Sequence, residues 1–197
     1  MDITEIHKVL PHRPPMLLVD RILAMEPGVY SVGMKAVTVN EDFFRGHFPG
    51  HPIMPAVLIT EFMAQVGGCL LLSVSGNESK LAYFAGIDRQ KFRKPVGPGD
   101  ILVARVELIS AKGRIGKVRA TAWVFRLETS NLGAPIQDAN LSSLARNSVS
   151  LIEGSGETES QRERSRMVLG MMEGELAAEG ELMFALVDRE EPAPNPA

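Results

Sequence analysis

The sequence predicts an α+β fold in which an antiparallel sheet wraps one long buried helix. Three observations predict it. Residues 56–74 form a run that is apolar nearly all round, and a helix of that kind has to be buried. Around it lie Val-, Ile- and Leu-rich runs of strand length, separated by turn residues. The 197 residues, 45% hydrophobic and 23% charged, suit one domain with enough core to cover such a helix.

The elements follow in order. Residues 2–10 carry helical periodicity that stops at Pro11. Residues 16–22 and 29–39 predict two strands about a turn at Pro27 and Gly28, and 41–46 predict a short turn or helix. Pro55 precedes the long helix, where its missing N–H is not needed. That helix should run about 19 residues, roughly 30 Å at 1.5 Å per residue, before Gly76 and Asn77 end it. Strands are predicted at 81–87, 101–110, 115–125 and 176–187.

Residues 126–173 break this rhythm. They hold no aromatic residue and include SGETESQRERSR, a composition that offsets ordering entropy poorly. With them set aside, the flanks read as the two strands of a hairpin. One domain is therefore predicted over 1–190, with 126–173 a flexible insertion in the last hairpin and 191–197 a disordered tail.

Composition excludes several function classes. A net charge of −3 without a long basic run argues against nucleic-acid binding. A single cysteine, Cys69, rules out an internal disulfide and fits a reducing, cytoplasmic setting. The opening MDITEIHKVL is neither a secretory signal nor a transit peptide. Thr60, Glu61, Gln65 and the Gly67–Gly68 pair argue against a membrane span at 56–74. His7, His12, His47 and His51 show no metal-ligand spacing, and no Gly-rich phosphate loop is present, so neither a metal nor a cofactor is expected.

The chemistry concentrates at 47–65, HFPGHPIMPAVLITEFMAQ. A histidine in a Pro/Gly-rich loop precedes a helix whose only carboxylate is Glu61. Glu61 and Gln65, four apart, share one face. Leu58, Ile59, Phe62 and Met63 would surround them with a dry wall, where a carboxyl group favours its protonated, proton-donating form. If the loop folds back, His47 supplies the matching base. Unpaired N–H groups near Ala56, at the helix start, could stabilise an oxyanion. A histidine in such a loop is more often an ordinary hydrogen-bonded surface residue, so spacing alone leaves that alternative open.

Three stretches in this order, LPHRPPMLLVDRI at 10–22, GHFPGHPIMPAVLITEFMAQVGG at 46–68 and YFAGIDRQKFRKPVGPGD at 83–100, closely resemble the (3R)-3-hydroxyacyl-acyl-carrier-protein dehydratases of bacterial type II fatty acid synthesis. The resemblance covers about residues 5–124 and resumes at 174–190. It implies a hot-dog fold and a homodimer with shared active sites, in which the His of one chain works with the Glu of the other. Dimers of that family often assemble into hexamers. By the same resemblance, His47 removes the proton beside the thioester and Glu61 protonates the departing 3-hydroxyl, with Gln65 orienting the carboxylate. Phe48, Pro49, Gly50 and Ala56 would contact substrate. Lys91, Arg93 and Lys94 are candidates to dock the acidic acyl carrier protein by electrostatic attraction, the alternative being ordinary solvated charges. No metal or cofactor is implied.

Two departures stand out: Ala56, where the family usually has Gly, and the insertion. The related dehydratase/isomerase typically carries Asp where Glu61 stands. The competing reading is a catalytically impaired, dehydratase-like subunit that binds acyl carrier protein.

Overall fold

The computed structural model describes residues 1–126 and 174–189. Its elements are α1 (Ile3–Val9), β1 (Arg21–Glu26), β2 (Tyr30–Ala36), a 3-10 turn (Asp42–Arg45), α2 (Ala56–Leu72), β3 (Lys80–Phe92), β4 (Ile101–Lys112), β5 (Ile115–Phe125) and β6 (Gly174–Asp188). The six strands form one antiparallel sheet in the order β1-β2-β4-β5-β6-β3, leaving β1 and β3 as its edges. This is the predicted α+β, hot-dog arrangement.

Local chemistry explains the first helix. The Asp2 carboxylate accepts from the Glu5 backbone N–H, and the Glu5 carboxylate accepts from that of Asp2, closing a capping box. The first strand falls later than predicted, at Arg21–Glu26 instead of 16–22. The apolar pattern at 16–19 reports burial against the helix and not sheet pairing. Leu18 and Val19 are buried, and the Leu18 N–H and Met16 C=O bond to the Gln65 side chain instead of a neighbouring strand. β3 runs five residues past its predicted end at residue 87, through a register shift between Asp88 and Lys91 that holds Arg89 at φ 56°. The polar sequence there concealed the strand.

Phe125 on β5 pairs with Gly174 on β6, so the chain leaves and re-enters the sheet on adjacent strands. The hairpin is thus present. The proposed insertion, beyond Arg126, and the tail lie outside the described residues.

One face of the sheet carries α2, whose Phe62, Met63, Val66, Cys69 and Leu70 are fully buried. Burial pushes the Cys69 thiol up to about 12, which leaves it protonated and inert. The helix approaches β2 closely: a Cβ on Gly33 would lie 2.4 Å from Val66 Cγ2 and 3.3 Å from Ile22 Cδ1. Gly33→Ala should therefore destabilise the fold by about 1–3 kcal/mol, the usual cost of overpacking a close-packed core, read as a lowered Tm. Among the described residues no helix is long and apolar enough to cross a membrane.

Candidate active site

Glu61 and Gln65 project from the same face of α2, one turn apart. Gln65 is 1% exposed, and its amide is fully engaged. Its Nε2 donates to Glu61 Oε1 and to the Met16 carbonyl, each at 2.8 Å, while its Oε1 accepts from the Leu18 N–H at 2.8 Å. One buried side chain thus ties the 16–18 segment to the helix and fixes the carboxylate. A third group completes the cluster: His12 Nε2 stands 3.5 Å from Glu61 Oε1.

These three residues border a cavity of about 380 Å³ whose walls include Met16, Leu72, Leu81, Phe84 and Phe184. That is the size and character of a small-molecule site, apolar with a few convergent polar groups. In the sequence His12 stands out only as one of four histidines without metal-ligand spacing. A signal was present nonetheless, because prolines at 11, 14 and 15 fix the chain around it just after the α1 helix.

His47 sits in a loop built by its own residues. Its backbone N–H donates to Phe43 O at 3.0 Å, and its C=O accepts from Ile53 N at 3.0 Å. Phe48 and His51 exchange backbone bonds of 3.0 and 2.9 Å, with Pro49 and Gly50 between them. Gly50 has φ 77°, so Pro at the second position and Gly at the third meet the demands of a type II turn. The His47 Nδ1 lies 2.8 Å from the Ile53 carbonyl. A carbonyl only accepts, so Nδ1 carries the proton and Nε2 keeps a lone pair, the tautomer a general base needs.

His47 is not among the residues that line the Glu61 cavity, and neither are Phe48, Pro49, Gly50 or Ala56. The histidine that stands beside the Glu61 carboxylate within the chain is His12.

Ala56 opens α2, which has no side-chain cap; the Leu58 and Ile59 N–H groups donate to the Pro55 carbonyl, which leaves those of Ala56 and Val57 to face a ligand. Among the described non-glycine residues only Arg89 has positive φ. Alanine at 56 therefore carries no left-handed strain.

The basic trio lies where β3 ends. Lys94 pairs with Glu175 at 2.6 Å, Arg93 pairs with Glu179, and Lys91 stands opposite Glu179 in the ladder. Lys94 holds the Glu175 carboxyl below the usual carboxylate range, and Arg93 does the same for Glu179. Much of the trio's charge is thus offset within the chain. Among the described residues no group of His, Cys, Asp or Glu could hold a metal ion.

The FabA-like domain family model matches residues 10–128. A protein of Caldicellulosiruptor saccharolyticus named 3-hydroxyacyl-[acyl-carrier-protein] dehydratase FabZ is 56% identical over 123 residues, 62% of this chain and 88% of that relative. A protein of the same name from Geotalea uraniireducens is 56% identical over 126 residues, 63% of this chain and 87% of its own. Among solved structures, a chain of the dehydratase heterocomplex ApeI:P from Xenorhabdus doucetiae aligns with a TM-score of 0.57 at 12% identity. The alignment covers 93% of this chain and 91% of that one. At such identity the likeness concerns the fold alone.

Proposed function

The chain belongs to the FabA-like family, and from that premise we propose that it is a 3-hydroxyacyl-[acyl-carrier-protein] dehydratase of fatty acid biosynthesis. It takes a (3R)-3-hydroxyacyl chain on the phosphopantetheine arm of acyl carrier protein and releases water and the trans-2-enoyl thioester. The observation that carries this is the Glu61–Gln65 pair beside an apolar cavity, in a chain 56% identical to proteins of that name.

The residues divide the work. His47 Nε2 takes the proton from the carbon next to the thioester. The electrons of that C–H bond form the new C=C, and the C3–O bond breaks as Glu61 gives its proton to the departing hydroxyl, making water. First-turn N–H groups at Ala56 stabilise the enolate-like thioester oxygen. No metal or redox cofactor is required by this chemistry.

The complete site takes His47 from the partner subunit, a reading supported by the absence of His47 from the residues that line the Glu61 cavity of its own chain. Edge strand β3 supports such pairing, since Tyr83 and Ile87 on it are 58% and 51% exposed. The protein works in the cytoplasm, as a homodimer or as a hexamer built from three such dimers, with Lys91, Arg93 and Lys94 at the carrier-protein approach. An insertion after Arg126 is compatible with the sheet, since its flanks meet in register at Phe125 and Gly174.

The test is dehydration of a 3-hydroxyacyl thioester on acyl carrier protein, by the full chain and by a chain lacking residues 127–172. Turnover in both is expected. Activity in the shortened chain alone would make the insertion inhibitory, and silence in both would overturn the proposal. The impaired-subunit alternative is disfavoured by the presence of His47, Glu61 and Gln65 together.

A further inference from the structure

The Glu61 carboxylate has two oxygens, and they are treated differently. Gln65 Nε2 donates to Oε1 at 2.8 Å, and His12 Nε2 faces the same oxygen at 3.5 Å. No described residue bonds Oε2. The 3.5 Å separation exceeds an ideal hydrogen bond, and catalytic contacts commonly tighten only when substrate is bound.

His12 is built into place. The Arg13 guanidinium donates to the carbonyls of His7 at 3.0 Å, Leu10 at 2.9 Å and His12 at 2.7 Å, holding the turn that follows α1. On the far side, Gln65 anchors Met16 and Leu18. The imidazole sits between these two clamps. Its Nδ1 is buried without a partner, so a proton there would be an orphaned donor, and the neutral ring is favoured with its proton on Nε2, facing Glu61.

We propose that His12 is a positioning residue: with Gln65 it holds Glu61 Oε1 as an acceptor and so reserves Oε2 as the oxygen that delivers the proton to the leaving hydroxyl. This rests on the dehydratase reading above. Two N–H donors on one oxygen also stabilise the negative charge that Glu61 acquires once its proton has left. The gain belongs to the reacting state and not to substrate binding, so it should be felt in kcat.

Three variants test the assignment. His12→Phe keeps a ring without a donor. His12→Gln places an amide nitrogen at about the reach of Nε2, and His12→Asn places one nearer Nδ1, too short to serve. Folding is confirmed by circular dichroism and thermal melts. Loss of a hydrogen bond to a charged group should lower kcat of His12→Phe and His12→Asn by roughly ten- to a hundredfold, with KM within about twofold, while His12→Gln recovers most of it.

Should His12→Phe fail to fold, the contrast between Asn and Gln carries the same comparison. Equal loss in the Asn and Gln variants, loss in none, or a rise in KM at unchanged kcat would each overturn the assignment while leaving the dehydratase reading intact. A wild-type chain with no dehydratase activity would overturn that reading, and this one with it.

Discussion

Glu61→Gln should lower kcat for dehydration by about 10²- to 10⁴-fold, the range lost when a positioned general acid is removed. The 3-hydroxyl is a poor leaving group and needs that proton as the C3–O bond breaks. Glutamine has the shape of glutamate but no acidic proton. Its carbonyl can still accept from Gln65 Nε2, so the tie to the 16–18 segment through Gln65 is preserved. The fold should therefore survive, with a Tm within a few degrees of the parent, because no buried group is left unpaired. Steady-state kinetics beside a thermal melt separate the two effects. Parental turnover in a folded Glu61→Gln protein would remove Glu61 from the acid's role.

Legibility followed the physics of each segment. The central helix was readable because a run of apolar residues from Ala56 to Leu72 admits few other states. The last hairpin was readable because alternation survives on both flanks of a long interruption. The HFPGH turn carried its own geometry, since Pro49 and Gly50 occupy the two positions where a type II turn demands them. The first strand falls elsewhere because Leu18 and Val19 are buried outside the sheet, with the Leu18 N–H held by Gln65 of α2, and hydrophobicity alone does not report which surface does the burying. His12 was missed because its meeting with Glu61 spans 49 positions and depends on the fold. Gln65 escaped that difficulty by standing one helical turn from the residue it orients. The charges of Lys94 and Arg93 were visible, but the carboxylates that offset them lie on β6, far along the chain.

The second large effect concerns the sharing of the site. His47 has its proton fixed on Nδ1 by the Ile53 carbonyl, leaving Nε2 as a base, yet it does not border the cavity that holds Glu61. If each working site joins the two residues across a dimer, two inactive variants should rescue one another. His47→Asn and Glu61→Gln homodimers each carry a lesion in both sites. A mixed dimer collects both lesions in one site and leaves the other with His47 and Glu61 intact. Equal, fully exchanged subunits would make half of the dimers mixed, with one sound site each, so activity should return to about a quarter of the parental value. Co-expression with two affinity tags isolates the mixed species, which should then show about half of the parental activity per dimer. A mixed dimer as silent as either parent would place both residues of each site on one chain.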